Sequence, residues 1–336
     1  SYFKSQPKDY SNPVMINNEV KKESDDMSGY ALVKADWSIL PGLTLSVSGN
    51  ARAEQSRSAF FNPPLYTQAG DNYNGEGGNS ESTYVNLTAD GYLTYDRTFG
   101  DHAFSAMVGG SYENSVSRGS SITGRGFSNA ALEDEVVSGA DKVITTTSRS
   151  QEMLASGFTR LNYTYKNRYL FTFTARADGA SKFAEGHRWG FFPSGAVGWV
   201  VSEERFFEPL KPWFSKLKLR YSQGLVGSDY ANNRWLYMSE FSKDGNGHIV
   251  EDKIANSSVQ WEQAMKRDLG IEMGFLNDEL HLSVDLFDEK RDKMLISVDN
   301  TTPMWIGNTS KELNKGKIKK HGIELELSYR KQLNKD

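Results

Sequence analysis

The amino-acid sequence predicts an all-β fold, an antiparallel transmembrane β-barrel wall with about eleven strands in this chain. Three observations support this fold class. Apolar and polar residues alternate with a period of two, as they do on strands whose two faces meet different environments. Several segments keep this alternation long enough for a tilted membrane-spanning strand of about 9 to 11 residues, whereas sandwich strands cluster near 5 to 6. Tight turns and long polar loops also alternate, which is typical of outer-membrane barrels.

The composition excludes several other classes of protein. The 336 residues include no cysteine, so neither a disulfide scaffold nor a cysteine-ligated metal site can form. No run approaches the roughly 18 apolar residues of a membrane-spanning helix. The 39 basic and 43 acidic side chains nearly cancel, whereas a nucleic-acid binder carries a concentrated basic surplus. The first residues lack the pattern of a signal peptide, so we expect a mature chain or a fragment.

The first five strands are predicted at about 28–39, 43–57, 83–96, 102–117 and 151–166. In the second of these strands, apolar residues such as Leu45 and Val47 occupy the odd positions and polar residues such as Ser46 occupy the even ones. The third strand alternates in the same way. The short link Leu40-Pro41-Gly42 predicts a tight turn, and the Gly-, Ser- and Asn-rich stretches predict long loops near 58–82 and 118–150.

The remaining six strands are predicted at about 168–178, 189–201, 215–226, 260–275, 279–296 and 318–331. Alternation is regular from Leu280 to Leu286 and from Ile323 to Tyr329. Two further long loops are predicted near 227–258 and 297–317. Ser202, followed by two glutamates, predicts a helical turn with Ser202 as its N-cap and the glutamates near its positive end.

The two faces of the strands are expected to meet lipid and a polar interior. A basic residue turned to lipid at mid-membrane costs about 2 to 4 kcal/mol, so charged residues such as Arg176, Arg220 and Glu324 should face inward. The opposite faces, rich in Leu, Val, Phe and Tyr, should then face lipid. Aromatic residues near strand ends predict an interfacial girdle formed by Trp37, Tyr95, Tyr163, Tyr165, Tyr169, Trp199 and Tyr329.

The order of motifs along the chain resembles one family closely. The motifs are RLNYTYKNRY at 160–169, RADGASKF at 176–183, WGFFPSGAVGW at 189–199, SEERF at 202–206, LKLRYSQG at 217–224, WE at 261–262, LGIE at 269–272 and GIELEL at 322–327. They resemble barrel elements of SusC/RagA-type TonB-dependent outer-membrane transporters, over at least residues 151–331. Ala180 is a departure, because the family usually has Ser there.

The resemblance implies the barrel portion of an importer and not an enzyme. The expected barrel has roughly 22 strands and a plug in its lumen, so this chain would supply about half of the strands and no plug. The implied cargo is a large solute, with oligosaccharide as the expected substrate and oligopeptide as the alternative. The implied partners are a SusD-type surface lipoprotein, a TonB-type energiser acting through the plug region, and outer-membrane lipid, with extracellular long loops.

The number of strands has a further consequence. Eleven membrane-length strands in an open sheet leave two edges unpaired, and each unsatisfied backbone group in lipid costs several kcal/mol. We therefore expect the strand near residue 30 and the strand near residue 325 to be edges that further strands complete, from the same polypeptide or another chain. A secreted glycan-binding β-sandwich or adhesin is the alternative from a different class.

The sequence predicts no catalytic residue, no metal site and no cofactor. The five histidines do not share metal-ligand spacing, and Asp244 to Asp252 predicts a plain turn more than a calcium loop. Arg176 and Asp178 are expected to form a structural ion pair or a loop anchor, with substrate contact as the alternative. Aromatic residues of the long loops are candidate ligand-binding residues, with packing inside the loops as the alternative: Phe60, Phe61, Tyr66, Tyr73, Trp235, Tyr237, Phe241 and Trp305.

Overall fold

The computed structural model describes residues 13–64, 73–127, 137–229, 235–243, 248–253, 255–297 and 312–331. A short helix, α1 (Pro13–Glu19), precedes the strands. The strands are β1 (Lys21–Leu40), β2 (Leu43–Asn62), β3 (Glu76–Phe99), β4 (His102–Phe127), β5 (Ala140–Tyr165), β6 (Tyr169–Ala180), β7 (Trp189–Val200), β8 (Phe214–Ser228), β9 (Glu240–Lys243), β10 (Ile249–Lys253), β11 (Glu262–Phe275), β12 (Leu280–Ser297) and β13 (Glu312–Tyr329). Within these ranges, no helix has the length and apolarity that crossing a bilayer requires.

Eleven of the described strands belong to one open antiparallel sheet. Its order is β1-β2-β3-β4-β5-β6-β7-β8-β11-β12-β13, so each strand pairs with its neighbours along the chain. The short strands β9 and β10 pair only with each other, between β8 and β11. The predicted number of strands is confirmed, and β1 and β13 are the two edges as expected. A sandwich of two packed sheets does not describe this arrangement.

Several strands are longer than their alternation predicts, and the largest extensions lie on the side of the long loops. β3 begins at Glu76, β4 ends at Phe127 and β5 begins at Ala140, inside ranges for which the sequence predicts loops. Backbone pairing does not require alternating side chains, and alternation is imposed only where the two faces meet different environments. The Gly- and Ser-rich ends therefore extend the sheet without a sequence signal.

The chain divides into two compact units. One comprises Ser1–Val33, Gly49–Thr88 and Glu113–Glu152, and the other comprises Lys34–Ser48, Ala89–Tyr112 and Met153–Asp336. The first unit has a small core in which the buried rings of Phe61 and Phe127 meet edge to face, with centroids 5.4 Å apart. Gly77 makes room for this pair, because a Cβ there would lie 2.8 Å from Phe61 Cδ2.

The second unit has its core at the long-loop end of its strands. Phe183, Phe192 and Trp261 pack together, and the Trp261 ring centroid lies 5.4 Å from each phenylalanine centroid. The Trp261 indole donates a hydrogen bond to the Arg188 carbonyl at 2.8 Å. Ala180, Leu236 and Val259 complete the buried cluster. This core joins the β6–β7 connection to the segment between β8 and β11.

Two asparagines attach the start of β13 to the same region. Asn256 donates from Nδ2 to the Glu312 carbonyl at 2.6 Å. Asn314 donates from Nδ2 to the carbonyls of Gln260 and Lys293 at 2.9 and 2.7 Å, and it accepts from the Gln260 amide. These bonds satisfy backbone groups where the regular ladder ends.

The connection between β7 and β8 differs from the sequence prediction. It contains two 3-10 helices, Val201–Glu203 and Arg205–Leu210, in place of one capped turn. Neither helix has a side-chain cap, and Ser202 lies inside the first with only 2% of its surface exposed. The prediction that Ser202 is an N-cap is therefore wrong, because this residue is buried within the turn.

Phe183→Ala tests whether the core around Trp261 holds the long connections in place. Phe183 is 1% exposed, so its truncation should cost about 3 to 5 kcal/mol of local stability. In the full-length protein, hydrogen exchange and limited proteolysis should accelerate between β6 and β7 and between β8 and β11. Phe241→Ala, at a side chain that is 65% exposed, is the control and should leave both rates near those of the unmodified protein. Equal rates in the two variants would contradict this role of the core.

Candidate functional site

The polar face of β8, β11 and β12 carries a network of paired charges around Arg220. In the register of the three strands, Arg220 lies opposite Gly270, and Gly270 lies opposite Asp285. Arg220 donates from Nη1 to Asp268 at 2.9 Å and from Nη2 to Asp285 at 2.5 Å. Its Nε lies 3.5 Å from Glu272. One guanidinium therefore connects carboxylates of two other strands.

Gly270 makes this connection possible. A Cβ at this position would lie 2.5 Å from both Arg220 Nε and Asp285 Oδ1. The guanidinium crosses the middle strand in the space that a side chain would fill. The glycine of the LGIE motif is thus explained by a close approach of side chains on both neighbouring strands.

Further ion pairs extend the same face. Lys216 and Lys218 each contact Glu272 at 3.2 Å, so three cations and three carboxylates compensate one another around Arg220. Closer to the long-loop end, Glu289 pairs with Lys266 at 3.8 Å and with Arg291 at 2.5 Å. The wall built by these strands is highly polar but nearly neutral.

The polar face of β5 and β6 holds a smaller cluster. Arg176 Nε donates to both Asp178 oxygens, at 2.6 and 2.8 Å, and Arg176 Nη2 donates to Ser156 at 2.9 Å. Asp178 is 7% exposed, so the cation compensates a buried carboxylate. The predicted structural ion pair between Arg176 and Asp178 is confirmed.

The opposite face of the strands β5 to β8 is apolar. It contains a groove of about 350 Å³ whose floor is Gly195 and whose walls include Phe171, Phe173, Val197 and Tyr221. These four walls are 41 to 48% exposed. Large apolar side chains that are open to the surroundings over several adjacent strands fit contact with lipid.

Aromatic rows bound this apolar face at both ends. At the tight-turn end, Tyr165 stacks on Tyr169 and Tyr169 on Trp199, with centroids 6.3 and 6.5 Å apart. Trp189 and Phe191 lie on the same face of β7 at the long-loop end, 65 and 60% exposed. The ten residue steps from Trp189 to Trp199 span about 33 Å along a strand, or about 25 Å across a bilayer at a tilt near 40°. This separation matches the apolar band of an outer-membrane barrel.

Glu204 connects the aromatic row at the tight-turn end. Its carboxylate accepts hydrogen bonds from Tyr169 at 2.6 Å, from Arg168 at 3.0 Å and from Trp199 at 3.2 Å. The Tyr169 hydroxyl lowers the pKa of the Glu204 carboxyl, and Trp199 and Arg168 act in the same direction. Glu204 lies at the N-cap position of the 3-10 helix Arg205–Leu210, but its side chain makes no capping hydrogen bond there. The predicted capping role is therefore wrong for Glu204, because its carboxylate binds side chains of β6, of β7 and of the turn before β6.

The candidate ligand-binding aromatics lie in different environments. Phe61 is 3% exposed in the core of the first unit, and Phe60 is half-buried. Tyr73 is 40% exposed, with the Arg125 guanidinium 3.8 Å from its ring centroid. Trp235 and Tyr237 are half-buried and meet edge to face at 5.9 Å, whereas Phe241 is 65% exposed. Tyr66 and Trp305 lie outside the described residues. Binding by these side chains stays a prediction.

The structure also shows residues whose roles the sequence alone did not indicate. Phe183, Trp261, Gly270 and Glu204 each make contacts across strands or connections that are distant in sequence. Their only sequence signal is membership of the motifs RADGASKF, WE, LGIE and SEERF. Among the described residues, no three His, Cys, Asp or Glu side chains are arranged to hold a metal ion.

Comparison with known proteins identifies relatives over nearly the whole chain. Residues 3–334 match the family model described as TonB dependent receptor-like, beta-barrel. The chain is 30% identical to the TonB-dependent receptor SusC of Bacteroides thetaiotaomicron, over 99% of this chain and 34% of that protein. It is 29% identical to the TonB-dependent receptor P3 of Formosa agariphila, over 98% of this chain and 33% of that protein. The chain thus spans about a third of the length of these relatives.

Solved structures share the fold. The structure of the RagAB peptide transporter matches with a TM-score of 0.84 at 20% identity, over 96% of this chain and 36% of that one. The siderophore receptor PiuA from Acinetobacter baumannii matches with a TM-score of 0.56 at 13% identity, over 90% of this chain and 44% of that one. At these identities the likeness concerns the architecture of the sheet.

Gly270→Ala tests the close approach at Arg220. The added methyl should displace the guanidinium from Asp285 and cost about 1 kcal/mol, since the pair is partly exposed and its loss is screened by solvent. Gly157→Ala in β5 is the matched control, because a Cβ there would meet no atom within 4 Å. Urea unfolding of the full-length protein in lipid vesicles measures both variants. A midpoint for Gly270→Ala equal to that of Gly157→Ala would contradict the proposed role of the glycine.

Glu204→Gln tests the carboxylate at the aromatic row through its pH dependence. The pKa of Glu204 is lower in the folded state than in an unfolded chain, so its contacts contribute fully at neutral pH and are lost as the pH falls through the folded pKa. The difference in thermal stability between the unmodified protein and this variant should be largest near pH 7 and should vanish well below about pH 4.3. Glu203→Gln is the control, since the Glu203 carboxylate only approaches Lys211 at 3.9 Å. A pH-independent difference would contradict the assignment.

Proposed function

Because this chain belongs to the TonB-dependent receptor-like β-barrel family, we propose that the protein containing it imports large solutes across a bacterial outer membrane. The observation that carries this proposal is the family match over residues 3–334. The two-faced strands support it, because charged residues are paired on one face and aromatic rows bound the apolar opposite face. A TonB-type protein would supply the energy through a plug region, as the family resemblance implies.

We propose that the long loops face the outside of the cell. The tight turns are then periplasmic, as in other outer-membrane barrels. β3, β4 and β5 have 24 to 26 residues each, whereas crossing a bilayer takes about 9 to 11. These strands therefore continue well beyond the hydrocarbon and provide a polar surface. A SusD-type surface lipoprotein is the proposed partner, acting as a lid over the long-loop end.

Oligosaccharide is the proposed substrate. Tyr73 and Phe241 expose aromatic rings near the long loops, and a flat ring offers a large contact area to the apolar face of a sugar. An aromatic ring also packs against peptide side chains, and the fold is shared with the RagAB peptide transporter. Oligopeptide is therefore the second candidate.

A binding experiment with the full-length protein, purified with any lipoprotein that accompanies it, separates these candidates. Oligosaccharides should bind, and Tyr73→Ala and Phe241→Ala should each weaken binding roughly tenfold, or about 1.4 kcal/mol. Phe99→Ala is the control, because Phe99 is a 53% exposed aromatic residue at the tight-turn end and should not affect affinity. Calorimetric titration with panels of oligosaccharides and oligopeptides gives the constants.

Three results would contradict parts of this proposal. Binding of oligopeptides but not of oligosaccharides would show that the proposed substrate class is wrong and that oligopeptide is the substrate. If the protein is purified from native outer membranes and no lipoprotein accompanies it, the proposal of a lipoprotein lid is wrong. Recovery of the intact protein in the soluble fraction, with none in the outer membrane, would overturn the importer itself.

A further inference from the structure

The connection between β7 and β8 exposes an unusual amount of apolar surface. Phe206, Leu210 and Trp213 are 65, 51 and 80% exposed, and we call these three residues the turn patch. Phe206 and Leu210 lie in the 3-10 helix Arg205–Leu210, and Trp213 lies in the turn that follows it. Phe207 of the same helix is instead 2% exposed. Exposed Phe, Leu and Trp side chains in one short segment indicate a contact surface.

Packing fixes the turn patch beside the apolar face of the sheet. Phe275 continues the apolar side of β11, which includes Ile271 and Met273. Phe214 stacks on Phe275 with centroids 4.8 Å apart and rings 7° from parallel. Phe207 packs on Phe214 at 5.3 Å. The segment that carries the turn patch is therefore anchored to the face that meets lipid, and not to the polar face.

The turn patch also continues the aromatic row at the tight-turn end. Trp199 and Tyr169 belong to that row, and both donate hydrogen bonds to Glu204. Glu204 directly precedes the 3-10 helix Arg205–Leu210. Glu204 thus binds the aromatic row through its carboxylate and leads directly into the segment that carries the turn patch.

We propose that the turn patch inserts into the headgroup region of the membrane leaflet next to the tight turns and binds phospholipid there. Trp side chains favour this interfacial depth, and an amphipathic segment buries its apolar side about 5 to 10 Å into the boundary between headgroups and acyl chains. Arg205, just before Phe206, and Glu208, between Phe206 and Leu210, are exposed and form no ion pair with any described residue. A cation beside an anion suits a zwitterionic headgroup such as phosphatidylethanolamine, whose phosphate and amine they can pair.

Site-directed fluorescence tests this placement, which rests on the proposed outer-membrane location. These 336 residues include no cysteine. Phe206→Cys and Trp213→Cys can therefore each carry one environment-sensitive label in a full-length protein in which any cysteine outside this chain has been replaced by serine. Asp101→Cys, at an exposed polar residue of the β3–β4 turn, is the matched control at the same end. Val197→Cys, in the apolar groove, reports on the hydrocarbon interior. The variants are reconstituted in phosphatidylethanolamine-rich vesicles and quenched by lipids with shallow or deep nitroxides, or by aqueous iodide.

The labels at 206 and 213 should be quenched by the shallow nitroxide at least about twofold more than the label at 101, while iodide quenches the label at 101 most. The label at 197 should respond to the deep nitroxide. If positions 206 and 213 behave like position 101 while 197 is quenched by lipid, the turn patch is not a lipid contact and the importer still stands. If 206 and 213 are shielded from every quencher, a protein surface covers them and the lipid proposal is wrong. If 197 is not quenched by lipid, the proposed membrane location itself fails.

Discussion

The rest of the structure depends on the pairing of backbone groups between neighbouring strands. Inside a bilayer no water can satisfy an unpaired N–H or C=O group, so a strand is stable there only with a partner on each side. The sequential order of the eleven strands provides these partners with short connections and antiparallel ladders. Within the eleven-stranded sheet, only β1 and β13 have one free edge each, which fits a chain that spans about a third of the length of its relatives.

The same constraint explains how much of the fold could be predicted from the sequence. A sheet with lipid on one side and a polar interior on the other forces a period of two, so all eleven strands of the sheet leave a pattern. Beyond the hydrocarbon both faces of a strand meet water, and the pattern disappears although pairing continues. The sequence therefore did not predict the long-loop ends of β3, β4 and β5, nor the short strand pair β9 and β10.

The contacts around Arg220 depend on the register between neighbouring strands. The periodicity of apolar and polar residues does not determine this register. Leu269 and Ile271 predict a strand, but nothing in the sequence indicates that Gly270 lies between Arg220 and Asp285. Trp261 similarly meets Phe183 only because two connections fold against each other. The family motifs include Gly270, Trp261 and Phe183, but they do not indicate which side chains these residues contact. The Arg176–Asp178 pair was predictable because its partners are two residues apart on one strand.

The balance of charge on the polar face bears on where selectivity resides. Around Arg220, three cations and three carboxylates contact one another at 2.5 to 3.5 Å. A charged solute would have to break these contacts to gain its own, and the remaining partners would be left with uncompensated charge. Such a wall is a poor binding surface for a specific ligand but a suitable lining for a passage. We infer that, in the proposed importer, discrimination between solutes belongs to the long-loop end, where the aromatic rings of Tyr73 and Phe241 are exposed.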